Sequence, residues 1–269
     1  MDIETLIRNF SETTNKVLVE GKSRIIYATE DEFLCFMKYK PFLKSVAAKK
    51  ETAIPETDHW RALTTLDIML NLEKEGIPTH IRYPFGINMN NNYYLMVRKV
   101  RPVPIEWTCV YQASGSMLKL FPALIKEGQK FESQIQKYNY KQELPIAGIH
   151  DTSINESQII GLGLLNGQQL DEAKNLMHKV GESVLKRFSR CGLDLVDIKM
   201  EFGFGPYDKL LVIDELSQDC IRANDHTTGK PLTKDTFKQN NSDRDILKSC
   251  ETFARYLNPY IESLIEIKN

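Results

Sequence analysis

The segment Asp197-Ile-Lys-Met-Glu-Phe-Gly203 constrains the fold more than any other part of the chain. Charged and apolar residues alternate, so Asp197, Lys199 and Glu201 share one face of a strand and Ile198, Met200 and Phe202 share the other. The apolar face must be buried. Three charges of mixed sign on the open face either pair with one another or surround a ligand or metal ion. Downstream, Leu210-Leu-Val-Ile-Asp214-Glu215 reads as a buried strand ending in two acids. If the two strands form a hairpin, Glu201 and Asp214 approach each other. Two carboxylates beside a triphosphate are what Mg²⁺ needs, and a salt-bridged strand face is the alternative.

The remaining pattern places these strands in an α+β fold. Residues 1–11 form a short amphipathic helix, with Ile3, Leu6, Ile7 and Phe10 on one face. Lys16–Gly21, Arg24–Ala28 and Phe33–Met37 read as an antiparallel meander. Lys38–Asp58 has two prolines and no period, and reads as a loop. Residues 59–76 are helical and closed by Gly76. Pro78–Tyr83, Tyr93–Val97 and Val103–Tyr111 read as strands, with an exposed polar turn at Asn88–Asn92. Phe121–Tyr140 is ambiguous. Gln158–Leu165 is a short apolar stretch, Leu170–Cys191 a strongly amphipathic helix and Phe253–Ile267 a terminal helix. Strands first and mixed elements later give α+β rather than a regular βαβ chain.

Composition narrows the function classes. With 269 residues the chain allows one large domain or two small ones. Lys+Arg is 35 and Asp+Glu is 36, so net charge gives no reason to expect nucleic acid or an anionic membrane as partner. No window approaches ~18 consecutive apolar residues, and the acidic start MDIETLIRNF has no apolar signal core. Five scattered cysteines without a CxxC pair fit a reducing compartment, so a cytoplasmic location is expected.

Other groups carry chemistry only in combination. Gly21-Lys22-Ser23-Arg24 lies between strands, so it is not a Walker loop; it is an ordinary hairpin or a glycine turn lying over phosphates. Ala113-Ser-Gly-Ser-Met-Leu-Lys119 has the makings of an anion nest, with Ser116 and Lys119 as donors. Asp219, Arg222 and Asp225 are either a turn with local ion pairs or a set in which Arg222 holds a phosphate or carboxylate. His150-Asp151 and Asn155-Glu156 are a further polar cluster.

Taken in order, the segments EGKSRIIYAT, EGIPTH, RPVPIEW, ASGSMLK, HDTSINES, GLDLVDIKMEFG and VIDELSQDCIRANDHTTGKPLTKDTFKQ resemble the SAICAR synthetase family. The resemblance covers nearly the whole chain and is most specific from Gly192 to Gln239. It implies a two-part fold with ATP in a cleft, similar in shape to ATP-grasp enzymes and kinases. Residues 1–100 would be a β-rich part covering the nucleotide, and residues 101–269 a larger part with the magnesium and substrate sites. It implies that the Lys22 glycine turn covers the phosphates, that Gly21, Lys22, Arg24, Lys99 and Val103 belong to the nucleotide-binding set, that the Arg101–Glu106 stretch links the two parts and borders the adenine, and that Glu201 and Asp214 hold Mg²⁺. Lys199, with Lys22 and Asp197, matches the catalytic set. Ser114, Gly115, Ser116, Lys119, Asp219, Arg222 and Lys238 match the substrate-binding set. The implied reaction activates a small-molecule carboxylate with ATP and then forms an amide with an amine, L-aspartate in the family. A homo-oligomer is an open alternative.

The departures fall on the acceptor half. The family's RNxAAGSxxKR segment has Val110 and Leu120 at arginine positions and Tyr111 at the asparagine; Lys238 and Thr236 replace later arginines. Lys38–Lys50 replaces an acidic segment, and HDP becomes His150-Asp151-Thr152. These changes predict a divergent paralogue whose carboxylate substrate lacks a ribose phosphate. The alternatives are the purine-pathway enzyme itself, a non-catalytic nucleotide binder, and a phosphotransferase.

Overall fold

The structure is a computed structural model and describes residues 2–21, 23–45, 50–141, 152–232 and 242–268. It is α+β, built on two sheets. The first has the order β1 (Val17–Glu20), β2 (Arg24–Ala28), β3 (Leu34–Tyr39), β7 (Asn92–Arg98), β6 (Gly86–Met89) and β14 (Ile265–Lys268). The second runs β10 (Thr152–Ile154), β9 (Lys130–Tyr140), β8 (Arg101–Gln112), β11 (Leu193–Phe204) and β12 (Leu210–Ile213), with β13 (Ile221–Asp225) also paired to β11.

Alternation along each strand decides what lies on its two faces. In the first sheet Cys35, Met37, Leu95 and Val97 turn toward helix α2 (Thr57–Lys74), while Phe36, Tyr94 and Met96 pack under α1 (Ile3–Asn9). Helix α2 is buried around most of its circumference, so it is a central pillar rather than a surface helix. In the second sheet Ile198, Met200 and Phe202 of β11 are buried. Ile105, Trp107 and Cys109 of β8 lie with them in the core lined by helix α5 (Gly167–Arg190). An Asn166–Gln169 capping box starts α5, and Leu170, Ala173, Met177, Val180 and Val184 form its apolar stripe. The opposite face of this sheet carries Asp197, Lys199 and Glu201.

Three expectations need correction. The terminal helix is α6, Asp243–Leu257; it stops because Pro259 disfavours helical backbone at Asn258, which is extended. A 3₁₀ turn (Ile261–Leu264) follows, and β14 then pairs in parallel with β6. The stretch 38–58 contains a hairpin, β4 (Phe42–Ser45) with β5 (Lys50–Ala53). Pro78–Tyr83 is no strand: only Thr79 and Ile81 make single bridges, to Val212 and Val97. The ambiguous stretch yields β9, and the apolar stretch after Asn155 yields α4 (Glu156–Gly161). The exposed Asn turn joins β6 to β7, with Asn90 and Asn91 in the left-handed region that a tight hairpin demands. No helix among the described residues is long and apolar enough to cross a membrane.

Candidate functional site

Register builds the site. In the β8–β11 pairing Asp197 lies opposite Val110, Lys199 opposite Thr108 and Glu201 opposite Glu106. Glu201 also lies opposite Ile213 of β12, one residue before Asp214, and Asp197 opposite Arg222 of β13. The strand face anticipated from the alternation is therefore a single charged surface with two ends.

At one end, Glu201 and Asp214 come together at the close of the β11–β12 hairpin. Asp214 adopts φ 68°, a left-handed backbone that Asp tolerates better than most residues. Burial, and then the charge of Asp214, push the Glu201 carboxyl above the ordinary range. Lys141, just after β9, reaches back so that Nζ lies 2.5 Å from Glu201 Oε1. From the first sheet, Arg24 Nη2 lies 2.5 Å from Asp214 and its Nη1 2.7 Å from Glu215. Fully buried Arg61 of α2 donates from Nη2 to both Glu215 oxygens at 2.9 Å. Burial would raise Glu215, but the charges of Arg61 and Arg24 outweigh it and hold the carboxyl well below its usual range. Ser217 Oγ donates to Glu215, and Gln218 donates to Thr64 of α2 and to the Cys250 carbonyl of α6. Buried polar contacts thus pin the Leu-Ser-Gln-Asp219 turn to two helices.

In the middle, Lys199 Nζ pairs with Glu106 at 2.8 Å. Burial would lower the ammonium's pKa, but Glu106 raises it, so Lys199 stays charged.

At the other end, Arg222 Nε donates to both Asp197 oxygens at 2.9 and 3.0 Å, and Nη2 adds a further bond. Gly115 lies against it: an added Cβ would sit 3.2 Å from Arg222 Nη1, and the residue's φ of +56° also favours glycine. Ser114 Oγ is buried without a hydrogen-bond partner among the described residues. Ser116 and Lys119 are exposed on the short helix α3 (Ser116–Leu120). Val110 is buried on this charged face, opposite Asp197. Tyr111 points the other way, into the core, with its hydroxyl against Gly181 of α5 and 3.3 Å from Gln134 Oε1. That substitution therefore does not touch the Asp197–Arg222 end.

The remaining candidates divide. Gly21 closes the β1–β2 turn through its N–H to the Arg24 carbonyl at 2.8 Å. Lys99 is exposed between β7 and β8, and Val103 is buried in the core. The Asp219 N–H donates to Ser217 Oγ. Asn155 caps α4, and Glu156 pairs with Lys174, both structural roles. Lys22, Lys238, Thr236, His150 and Asp151 lie outside the described residues. Sequence reasoning missed Arg61 and Lys141, and it did not pair Glu106 with Lys199. The one available signal was an arginine inside the otherwise apolar-stepped helix HWRALTTLDIML.

The donor set fits a hard divalent cation bound jointly with phosphate. Glu201 and Asp214 are two half-buried carboxylates whose mutual repulsion a cation relieves. Among the described residues no third acid, histidine or cysteine completes a protein-only cage.

Comparison with known proteins identifies the family. The family model described as SAICAR synthetase matches residues 17–252. A phosphoribosylaminoimidazole-succinocarboxamide synthase of Wolbachia pipientis subsp. Culex pipiens (strain wPip) is 32% identical over 228 residues, covering 84% of this chain and 90% of that protein. The Lacticaseibacillus casei (strain BL23) synthase of the same name is 31% identical, covering 83% of this chain and 88% of that protein. The crystal structure of the Ehrlichia chaffeensis synthase superposes with a TM-score of 0.81 at 28% identity, covering 90% of this chain and 98% of that one. A SAICAR synthetase in complex with ADP shares the fold, with a TM-score of 0.80 at 24% identity over 91% of this chain and 98% of that one. The chain belongs to the SAICAR synthetase family, whose members are ATP-dependent amide-forming ligases.

Proposed function

We propose that this protein is itself a phosphoribosylaminoimidazole-succinocarboxamide synthase, joining L-aspartate to a carboxyaminoimidazole ribonucleotide at the expense of ATP in the cytoplasm. The observation that carries the reading is the single strand face on which Glu201–Asp214, Lys199–Glu106 and Asp197–Arg222 follow one another. This order fits a reaction in which a phosphoryl group passes from ATP to a carboxylate lying over the middle of the sheet. The first sheet, with residues 1–100, would cover the nucleotide, and Arg24 with the Gly21 turn would border its phosphates. Glu201 and Asp214 would hold Mg²⁺, which supplies neutralisation of phosphate charge. Lys199 would steady charge on the carboxylate oxygen as it takes the phosphoryl group, and the amine of aspartate would then displace phosphate. Arg222, fixed by Asp197 under the Ser114–Gly115 turn, would hold the acceptor's phosphate, with the unsatisfied Ser114 hydroxyl as a further donor.

A second reading keeps the ATP chemistry and changes the acceptor. It is favoured by Val110: an apolar side chain faces Asp197 where the family pattern has arginine, and Leu120 is exposed where the pattern has another. One experiment separates the readings. Phosphate release from Mg·ATP is measured with L-aspartate and either the phosphorylated nucleotide or its dephosphorylated nucleoside. Turnover that requires the nucleotide supports the purine reaction. Equal or better turnover of the nucleoside supports the paralogue, and no turnover with either refutes the main reading.

A further inference from the structure

Every acid on the charged face has a base beside it, but the two bases at the Glu201–Asp214 pair are held very differently. Arg24 is wedged between Asp214 and Glu215, and Glu215 is itself tied to Arg61 on the central helix. A planar guanidinium locked by two carboxylates has little freedom to leave. Lys141 is the opposite. Its backbone is fixed by its N–H to the Pro104 carbonyl at 3.0 Å, but its side chain is 41% exposed and makes its ion pair through one flexible stem. Its ammonium sits on Glu201 Oε1, against one of the two carboxylates that fit a divalent cation, and close enough to Asp214 to feel that charge as well.

We propose that Lys141 is a resident counter-ion of the Glu201–Asp214 pair, exchanged when the divalent cation arrives. In the free protein the ammonium lowers the repulsion between two neighbouring, half-buried carboxylates. For the cation to bind Glu201 the ammonium must leave, and a four-carbon stem lets it swing without moving the sheet. Displaced, it faces the cleft that the phosphates would enter, where its charge is again compensated. Metal and nucleotide binding are thereby coupled: metal alone must break an ion pair, whereas metal with nucleotide offers the ammonium a new partner. The proposal rests on the reading that Glu201 and Asp214 hold the cation.

The test is a titration of the purified full chain with Mn²⁺ alone, followed by electron paramagnetic resonance, and again with saturating ADP. Removing the ammonium in Lys141→Met should tighten Mn²⁺ binding without nucleotide by on the order of tenfold, because the charge-assisted bond that the ion has to break is gone. The gain in Mn²⁺ affinity that ADP brings to the native protein should shrink in the variant. Lys141→Arg, which keeps the charge, should not tighten binding. Unchanged or weaker Mn²⁺ binding in Lys141→Met overturns the proposal and leaves Lys141 as a fixed support of Glu201. Lys141→Gln serves the same purpose if thermal melting shows Lys141→Met to be unfolded. Glu201→Gln is the control for the underlying reading: if it binds Mn²⁺ like the native protein, the assignment of the cation to Glu201 fails, whatever Lys141 does.

Discussion

The two ends of the charged face are made by different means. The Glu201–Asp214 end draws its residues from β11, β12, β2, the segment after β9 and the central helix α2, and the buried Arg61–Glu215 pair ties it to the core. Among the described residues, the Asp197–Arg222 end is built from a neighbouring-strand ion pair, a glycine turn and a short exposed helix, with Val110 beside it. An end anchored through the core cannot be altered without disturbing the fold. An end made from neighbouring strands and a loop can change its ligand while the frame stays put. Two of the departures from the family pattern, Val110 and Leu120, lie on this looser Asp197–Arg222 end.

The sharpest way to break the contrast is to cut the anchor. Arg61→Ala leaves Glu215 buried with Arg24 as its remaining cation, and should cost roughly 3–5 kcal/mol in urea unfolding. The loss has a defined pH dependence. The folded carboxyl of Glu215 lies below its unfolded value, so its contribution is complete at neutral pH and fades as pH falls through the carboxylate range. The gap between native and variant stability should close over the same acid range. Lys199→Met tests the middle of the face: kcat should fall by about 10²–10³, with ATP affinity by calorimetry little changed. Arg222→Lys addresses the acceptor end and should raise KM for the acceptor by roughly tenfold to a hundredfold, leaving KM for ATP alone. If both KM values rise together, the two ends are not separable. The smallest effect is behind the acceptor end. Gly181→Ala places a Cβ against the Tyr111 hydroxyl and 3.1 Å from Cys109 Sγ, and should lower stability by about 1–3 kcal/mol.

Much of this was legible because period-2 alternation is a geometric statement. Asp197, Lys199 and Glu201 share a face because strand side chains alternate, and the acid after Ile213 meets Glu201 once the hairpin is assumed. The same rule, applied to Val110 and Tyr111, separates them: one faces Asp197 and the other faces α5. Tyr111 reads as a site substitution only when it is matched to the family motif without its face. The pairing of Arg61 with Glu215 is hidden for another reason. Their partnership spans 154 residues, and no local period encodes a contact between a helix and a loop that distant. Lys141 stands at the end of a strand whose own sequence, KFESQIQKYNY, has no clean alternation of apolar residues. The terminal strand was lost because Phe253–Ile267 was read as one helix, although Asn258-Pro259 marks the break.

The parallel pairing of β14 with β6 joins residues 265–268 to residues 86–89. On the ribosome, β6 and its neighbours emerge long before the strand that covers them. Until then β6 is the rim of the first sheet; once β14 adds, the open edge passes to residues 265–268 themselves. Completing the first sheet therefore waits for a segment far downstream of β6, and β6 depends on that late pairing for its second set of backbone partners.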